Sequence, residues 1–560
     1  MPKWIQRNVS ATTITDVVNA LPAVGSYTIK NLDEVAAVLQ QYVKSGKPMT
    51  LVGDYDADGI CASSILYLSI KAMGGHINVR LPKRFSEGFG LSEKIVEEID
   101  EGLLITVDNG IAAIDAVRKA KEKGLFVIIT DHHLRAESGE LPNADIIIDP
   151  NAVPDSAVFS DYCGAGIAFK LAVALLGVKH PLIPKLLSLA AIATIADVVS
   201  LTGENHVIAR YGLARMVSAG GRTEGLKALL EACQLDESIS VKDIAFKVAP
   251  MINAAGRLKD DGAMLSFNLL SGNYEGTAEE AAAVIHDINE IRKETKTREM
   301  SRILSEIAQK KRENSIPMCV YVPGLSEGLL GIYAAALVEE YHVPSLVFTD
   351  SDENGIYKGS GRSCGGVHLK NLLDKCADVL IKYGGHAEAA GVSVHADKFA
   401  ELQMRLSASI GCVPAVNNDI IYYDLDVGSV DDIPSLIDEL EEYGPYGAGN
   451  PEVIFRLKDF NLVDKYGSHY SLMSGGQSVR LFGENNVVAV GFNLAERYAE
   501  LRQPRTVNLL GTISWNYYKG RKNAQIEIID IKNVDDETSD AKRIETPISR
   551  YLSGLEKEAK

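Results

Sequence analysis

The chain has 560 residues, 46% of them hydrophobic and 24% charged; these are the proportions of an ordinary globular protein, which argue against disorder and set an expectation of roughly two to four domains with sizeable cores. Lysine and arginine number 57 against 75 acidic residues, a formal net charge of -18, which excludes a whole-surface affinity for nucleic acid or anionic membrane but allows a local basic groove. The seven cysteines are scattered with no CxxC pair, and no signal-peptide core or membrane-length apolar run is present, so reduced thiols, a cytoplasmic location and no membrane partner are expected.

Residues 1–46 read as an N-terminal extension. From Lys47 to about Pro150, short apolar runs (PMTLVG, INVRLP, GLLITVDNG, GLFVIITDHH, ADIIIDPN) alternate with amphipathic helical segments, which predicts βαβ units in a parallel sheet. Helical patterns follow from Gly166 to about Leu270 and complete a first α/β domain over 47–274. Residues 275–315 predict one connecting helix: there is no proline and no glycine after Gly276, and Val284, Ile285, Ile288, Ile291, Ile303, Leu304 and Ile307 recur at helical spacing. Such a rod is roughly 55 Å long at about 1.5 Å per residue. A second α/β domain over 316–412 has strands near CVYVP, SLVFTD and YKGSGRS and closes on YGGHAEAAGVSV. From 419 to 535 many short strands predict a small β-barrel, and 536–560 is a polar tail.

The chemistry begins at LVGDYDADGI, where Asp54, Asp56 and Asp58 alternate between an apolar run and a glycine. An EF-hand loop needs a bidentate glutamate at its twelfth position, and counting from Asp54 that residue is Ile65, within an apolar helix. Calcium of that kind is excluded. The triplet sits where a strand passes to a helix, at the carboxyl edge of a parallel sheet where open α/β folds bind ligands. Three crowded carboxylates repel unless protonated or paired with cations, and a divalent metal is a fitting partner. Asp108 in VDNG, and Asp131, His132 and His133 in TDHH, follow strands on the same edge, although the Asn109-Gly110 pair also reads as a simple turn. Asp197 lies inside AAIATIADVVSL, where a carboxylate must be paired, metal-bound or at a helix end. Carboxylate and imidazole donors without thiolate suit Mn²⁺ or Mg²⁺, and a pair of ions about 3.5 to 4 Å apart supports hydrolysis of a phosphorus ester or anhydride.

Two further patches read as phosphate sites. PMINAAGRL sets Arg257 beside small residues. GSGRSCGG carries Arg362, and in YGGHAEAAG the pair Gly384 and Gly385 precedes an expected helix start with His386, an arrangement suited to an anion.

These residues resemble a known set. DYDADG, VDNG, TDHH and the aspartate of TIADVV are similar to the four motifs of the DHH phosphoesterase superfamily, and GGHAEAAG to the DHHA1 motif. RFSEGFGLS, CGAGIAFKL, NAAGRL, LLGIYAA, SGRS and PYGAGNPEVIF resemble its RecJ branch, over about residues 50 to 530. The resemblance implies a metal-dependent exonuclease that degrades single-stranded DNA from 5′ to 3′ into 5′-mononucleotides, in repair and recombination, fed by a single-strand-binding protein and a helicase. It implies Asp56, Asp58, Asp108, His132 and Asp197 as ligands of two ions, Asp54 as a ligand or an orienting neighbour, and His133 facing the scissile phosphate. Arg257, Arg362 and His386 would hold DNA phosphates, and the barrel would be an OB-fold. Met251 stands where the family usually has arginine, and Leu325 and Ser326 where a Trp-His pair is common; these departures bear on DNA contacts and not on the metal ligands. The rival readings are a DHH–DHHA1 phosphodiesterase of short oligonucleotides or cyclic dinucleotides, and a non-catalytic DNA-binding or replisome scaffold protein.

Overall fold

The structure is a computed structural model that describes residues 2–6, 28–135, 139–235, 238–311, 319–410, 420–518 and 521–536. It divides into two compact units, Val24–Val416 and a second formed by Met1–Ala23 with Asn417–Lys560. The expected polar tail and Cys412 lie outside the described residues, and the six described cysteines are all free. Among the described residues no helix is long and apolar enough to cross a membrane.

The first strand, β1 (Lys3–Gln6), belongs to the second unit. The larger unit begins with α1 (Leu32–Ser45), whose Val35, Ala36 and Leu39 are buried in its main core. Then come β2 (Met49–Val52), α2 (Ala57–Ala72), β3 (Asn78–Arg80), β4 (Leu103–Val107), α3 (Ile114–Glu122), β5 (Phe126–Thr130) and β6 (Ile146–Ile148). The five strands form one sheet in the order β3-β2-β4-β5-β6, every pair parallel. Helices on both faces explain why β4 is buried at all five positions and reads as an unbroken apolar run. The strand order reverses direction between β2 and β4, so the crevice at their carboxyl ends is the topological switch point where such sheets bind ligands.

The helices α4 (Gly164–Leu176) and α5 (Ile183–Ala196) are the apolar segments the sequence marks as buried, and both pack into the core beside α2. After α6 (Ala249–Leu258) a single 34-residue helix, α7 (Ala278–Lys311), spans the segment read as a connecting rod, about 50 Å at about 1.5 Å per residue. The second sheet of this unit follows: β7 (Cys319–Tyr321), α8 (Leu330–Tyr341), β8 (Ser345–Asp350), β9 (Ile356–Arg362), β10 (Leu380–Gly385) and β11 (Ala389–His395), in the order β10-β11-β9-β8-β7.

The helix start expected after Gly384 and Gly385 gives way to a strand turn. Gly384 and Gly385 do not precede a helix; they end β10 and pair antiparallel with Gly391 and Ala390 of β11. The run His386-Ala-Glu-Ala-Ala favours helix locally, but all seven residues of β11 also pair with β9, and that sheet edge captures the segment. Gly385 has φ 138° and carries its hydrogen where a Cβ would stand 2.2 Å from the Ala389 carbonyl oxygen.

In the second unit β12 (Ile420–Tyr423) pairs in parallel with β1, from Lys3 opposite Ile420 to Gln6 opposite Tyr423. Trp4 fastens that strand further: its indole N–H donates to Asp530 Oδ2 at 2.8 Å, and the Lys532 ammonium lies 4.6 Å over its ring. The first 46 residues are therefore divided between the two units. The remaining strands are β13 (Leu425–Val427), β14 (Phe455–Asn461), β15 (Tyr470–Met473), β16 (Ser478–Phe482), β17 (Val488–Gly491), β18 (Thr506–Tyr518) and β19 (Arg521–Asn533). They form one sheet ordered β13-β14-β18-β19-β17-β16-β15, mainly antiparallel. A bridge from Leu462 to Gly483 joins the end of β14 to the end of β16, which curls the sheet on itself in the manner of a small barrel.

Candidate metal centre

Four loops at the carboxyl ends of β2, β4 and β5 and at the end of α5 bring the acidic residues together. Three overlapping groups form, each with one ligand atom per residue and all atoms within 4.8 Å of one another: Asp54, Asp56 and Asp108; Asp58, His132 and Asp197; Asp108, His132 and His133. Each residue is held by a local cause. Asp56 is the N-cap of α2, accepting the N–H groups of Asp58 at 3.0 Å and Gly59 at 3.1 Å. Asp58 lies in the first turn of α2 and reaches the N-terminus of α4, where Gly164 N–H (2.6 Å) and Ala165 N–H (2.7 Å) donate to its two oxygens. Gly59 lets the first turn of α2 lie against the Asp54 backbone, since a Cβ there would stand 2.6 Å from the Asp54 nitrogen.

Asp108 adopts φ 61°, a left-handed conformation that aspartate tolerates. Its neighbour Asn109 fixes the loop, donating to the carbonyls of Val52 (3.1 Å) and Val107 (2.8 Å) and accepting from Leu91 N–H at 3.0 Å. The asparagine is a brace joining β2, β4 and the loop after β3, more than a turn residue. Asp197 follows the last residue of α5, at the negative end of the helix dipole, where a nearby cation is favoured. The next residue, Val198, has φ 59°, a strained conformation for a β-branched side chain.

The two histidines differ. His132 Nε2 stands 3.1 Å from Asp108 Oδ1, 3.7 Å from Asp58 Oδ2 and 3.8 Å from Asp197 Oδ2. His133 instead turns its Nδ1 to Asp131 Oδ1 at 2.7 Å, and Asp131 also accepts the N–H groups of His132, His133 and Ile111. Burial opposes charge on His133, yet the Asp131 hydrogen bond and charge push its pKa up to about 9. Burial, aided by the charge of His133, pulls His132 down despite the carboxylates around it.

The carboxyls carry the signature of a cation site. Burial, then the charges of neighbouring aspartates, pushes Asp54 and Asp108 well above the usual carboxylate range, raises Asp56, and takes Asp197 up to about 8. Among the described residues, Asp54 Oδ1, Asp108 Oδ1 and His132 Nε2 are buried with no hydrogen-bond partner. Polar atoms so placed are costly unless satisfied, and a divalent ion would satisfy all three. Oxygen and imidazole donors with no thiolate fit Mn²⁺ or Mg²⁺.

Beside this acidic centre lies a basic one. Burial, then the charges of Arg84 and Arg292, pulls Arg257 down to about 10, and burial with Arg84 also lowers Arg362. The four guanidinium groups come from the loop after β3, from α6, from α7 and from the end of β9. Arg257 touches the second sheet's portion of the unit, with Nη1 3.4 Å from the Gly328 carbonyl. Arg84 and Arg292 are absent from the sequence reading: Arg84 sits in RFSEGFGLS without a role assigned to it, and Arg292 reads as one charge among many on a long helix. His386 is exposed in the turn between β10 and β11, and Arg362 pairs across the sheet with Ala389, three residues after it. Met251 is buried against Cys233 Sγ at 3.4 Å, and Ser326 donates both its N–H and O–H to the buried Glu299 of α7 at 2.9 Å each.

Comparison with known proteins agrees with this layout. Residues 48–194 match the DHH family, N-terminal domain; residues 315–411 match the DHHA1 domain; and residues 423–530 match the RecJ OB domain. The chain is 31% identical over 534 residues to the single-stranded-DNA-specific exonuclease RecJ of Salmonella typhimurium, covering 90% of each chain. It is 33% identical over 518 residues to the RecJ of Bacillus subtilis, covering 90% of this chain and 64% of that longer protein. The crystal structure of RecJ in complex with Mn²⁺ from Thermus thermophilus is similar at 27% identity with a TM-score of 0.75, over 92% of this chain and 73% of the other.

Proposed function

The chain belongs to the RecJ family of single-stranded-DNA-specific exonucleases, and on that premise we propose that it is a metal-dependent exonuclease hydrolysing single-stranded DNA from the 5′ end to 5′-mononucleotides. One observation carries the reading: an oxygen-rich cation site at the sheet's switch point, with orphaned buried donor atoms, stands beside a cluster of arginines drawn from both halves of the larger unit. Asp56, Asp58, Asp108, His132 and Asp197 hold two Mn²⁺ or Mg²⁺ ions, with Asp54 a ligand or the orienting neighbour. When bound, the ions supply an activated water and neutralise charge on the scissile phosphate.

The chain's own groups do the rest. The α4 amides hold both oxygens of Asp58, so its ligand geometry is set before substrate arrives. His133, kept cationic by Asp131, faces the scissile phosphate and stabilises the negative charge that grows on it. Arg257 and Arg362, with Arg84 and Arg292, grip phosphates of the strand, which makes binding salt-sensitive. The strand passes between the parallel-sheet part and the second sheet of the larger unit, a passage that excludes a duplex. The OB domain supplies a single-strand platform. In a cytoplasmic setting of DNA repair and recombination, a helicase and a single-strand-binding protein deliver its substrate.

The test is to incubate end-labelled single-stranded DNA, duplex DNA and RNA dinucleotides with the chain and Mn²⁺. Mononucleotides released only from the 5′ end of long single strands support the reading. Preference for dinucleotides replaces it with a short-oligonucleotide phosphodiesterase, and no cleavage of any substrate leaves a DNA-binding protein.

A further inference from the structure

The loop after β3 presents Phe89, a large apolar side chain that is 52% exposed. Ring packing places it at the edge of the metal centre: its centroid is 5.5 Å from that of His133 at 77°, and 6.3 Å from that of Tyr55 at 88°. Across Tyr55, the Arg84 guanidinium lies 4.6 Å over the ring. Arg84, Tyr55, Phe89 and His133 thus form a continuous shelf running from the arginine cluster to the carboxylates.

The loop is pinned at both ends. Phe85 N–H (2.8 Å), Ser86 N–H (3.2 Å) and Ser86 Oγ–H (2.6 Å) donate to Asp260, while Leu91 N–H donates to Asn109 at 3.0 Å. Gly90, at φ 62°, lies so near Asn109 that a Cβ would stand 2.8 Å from that side chain. The backbone that carries the ring is therefore held before any ligand arrives, which reduces the ordering cost of stacking against it. Aromatic stacking on a nucleobase is sequence-tolerant, because every base offers a π-face.

We propose that Phe89 stacks on the base of the 5′-terminal nucleotide and seats it against His133, so that the phosphate on its 3′ side reaches the metal centre. The inference rests on the exonuclease reading and adds the residue that registers the strand end. The contact reads the presence of a base and not its identity.

The test compares kcat/KM for the unaltered chain, Phe89→Ala and Phe89→Trp on single strands whose 5′-terminal nucleotide is normal or abasic. A strand abasic at its fifth nucleotide is the control. On the normal strand Phe89→Ala should lose roughly tenfold to a hundredfold and Phe89→Trp should stay close to the unaltered chain. The unaltered chain should lose a similar factor on the abasic-ended strand, and Phe89→Ala should lose nothing further there. Full activity of Phe89→Ala, independent losses from variant and abasic end, an equal loss on the control strand, or lost Mn²⁺ binding by Phe89→Ala each overturn the proposal. A failure of the underlying reading looks different: the unaltered chain then cleaves none of the strands.

Discussion

Gly164 and Asp108 lie so close that no side chain fits between them: a Cβ on Gly164 would stand 2.4 Å from the Asp108 Cβ and 2.7 Å from its Oδ1. The same glycine donates its N–H to Asp58 at 2.6 Å, so one residue without a side chain sets the separation of two candidate ligands, one at the end of β4 and one in the first turn of α2. Gly164→Ala should cost about 1–3 kcal/mol of stability through overpacking. Displacing Asp108 by about 1 Å should lower kcat about a hundredfold. Steady-state cleavage of single-stranded DNA beside a thermal melt checks both, and unchanged kcat contradicts the geometry.

The raised carboxyls make a statement about pH. In the metal-free chain Asp54, Asp56, Asp108 and Asp197 hold protons more tightly than in the unfolded chain, Asp197 with a pKa of about 8. The folded state then binds more protons than the unfolded one from about pH 4 to about pH 8, so stability falls as pH rises through that window. The metal-free melting temperature should decline from about pH 5 to about pH 8, and Mn²⁺ should restore it. Asp108→Asn should flatten the decline, remove the Mn²⁺ effect and abolish cleavage. Scanning calorimetry with and without chelator measures all but the last.

Asp131 holds the backbone of both histidines and the ring of His133, accepting from the N–H groups of Ile111, His132 and His133 and from His133 Nδ1. Removing such an orienting partner typically costs about 10–100-fold in metal affinity or activity. Asp131→Asn should fall in that range while Mn²⁺ still binds at two sites by titration calorimetry. Wild-type rates would show that the histidines need no orienting.

The arginine cluster is checked by salt. Each phosphate contact on a single strand contributes about 0.7 to the slope of log binding constant against log salt. Arg292→Ala and Arg84→Ala should each reduce the slope by about that amount, with equal effect on all sequences. An unchanged slope for Arg292→Ala would remove α7 from the DNA path.

Much of this centre can be read in the sequence because strand ends are written plainly. β2, β4 and β5 are short apolar runs that stop at an acidic or histidine motif, and parallel pairing carries all three stops to one edge. What holds the ligands is less visible. The amides that bind Asp58 come from a helix more than a hundred residues later, and nothing in GAG announces a carboxylate partner. Arg292 is concealed by its setting, since charges on a long helix normally face water. Gly384 and Gly385 mislead for a third reason: local helix preference points one way, and a waiting strand edge decides the other.

The pairing of β1 with β12 has a consequence for how the molecule is made. Lys3 and Ile420 are partners in one ladder, so the 413 residues from 7 to 419 must be synthesised between the end of β1 and the start of its mate. At about 5–20 residues per second, roughly 25 to 105 seconds separate the synthesis of Trp4 from that of its partner Asp530. Strand β1 is thus made long before its partner strand, and the larger unit can complete its core while β1 is still unpaired.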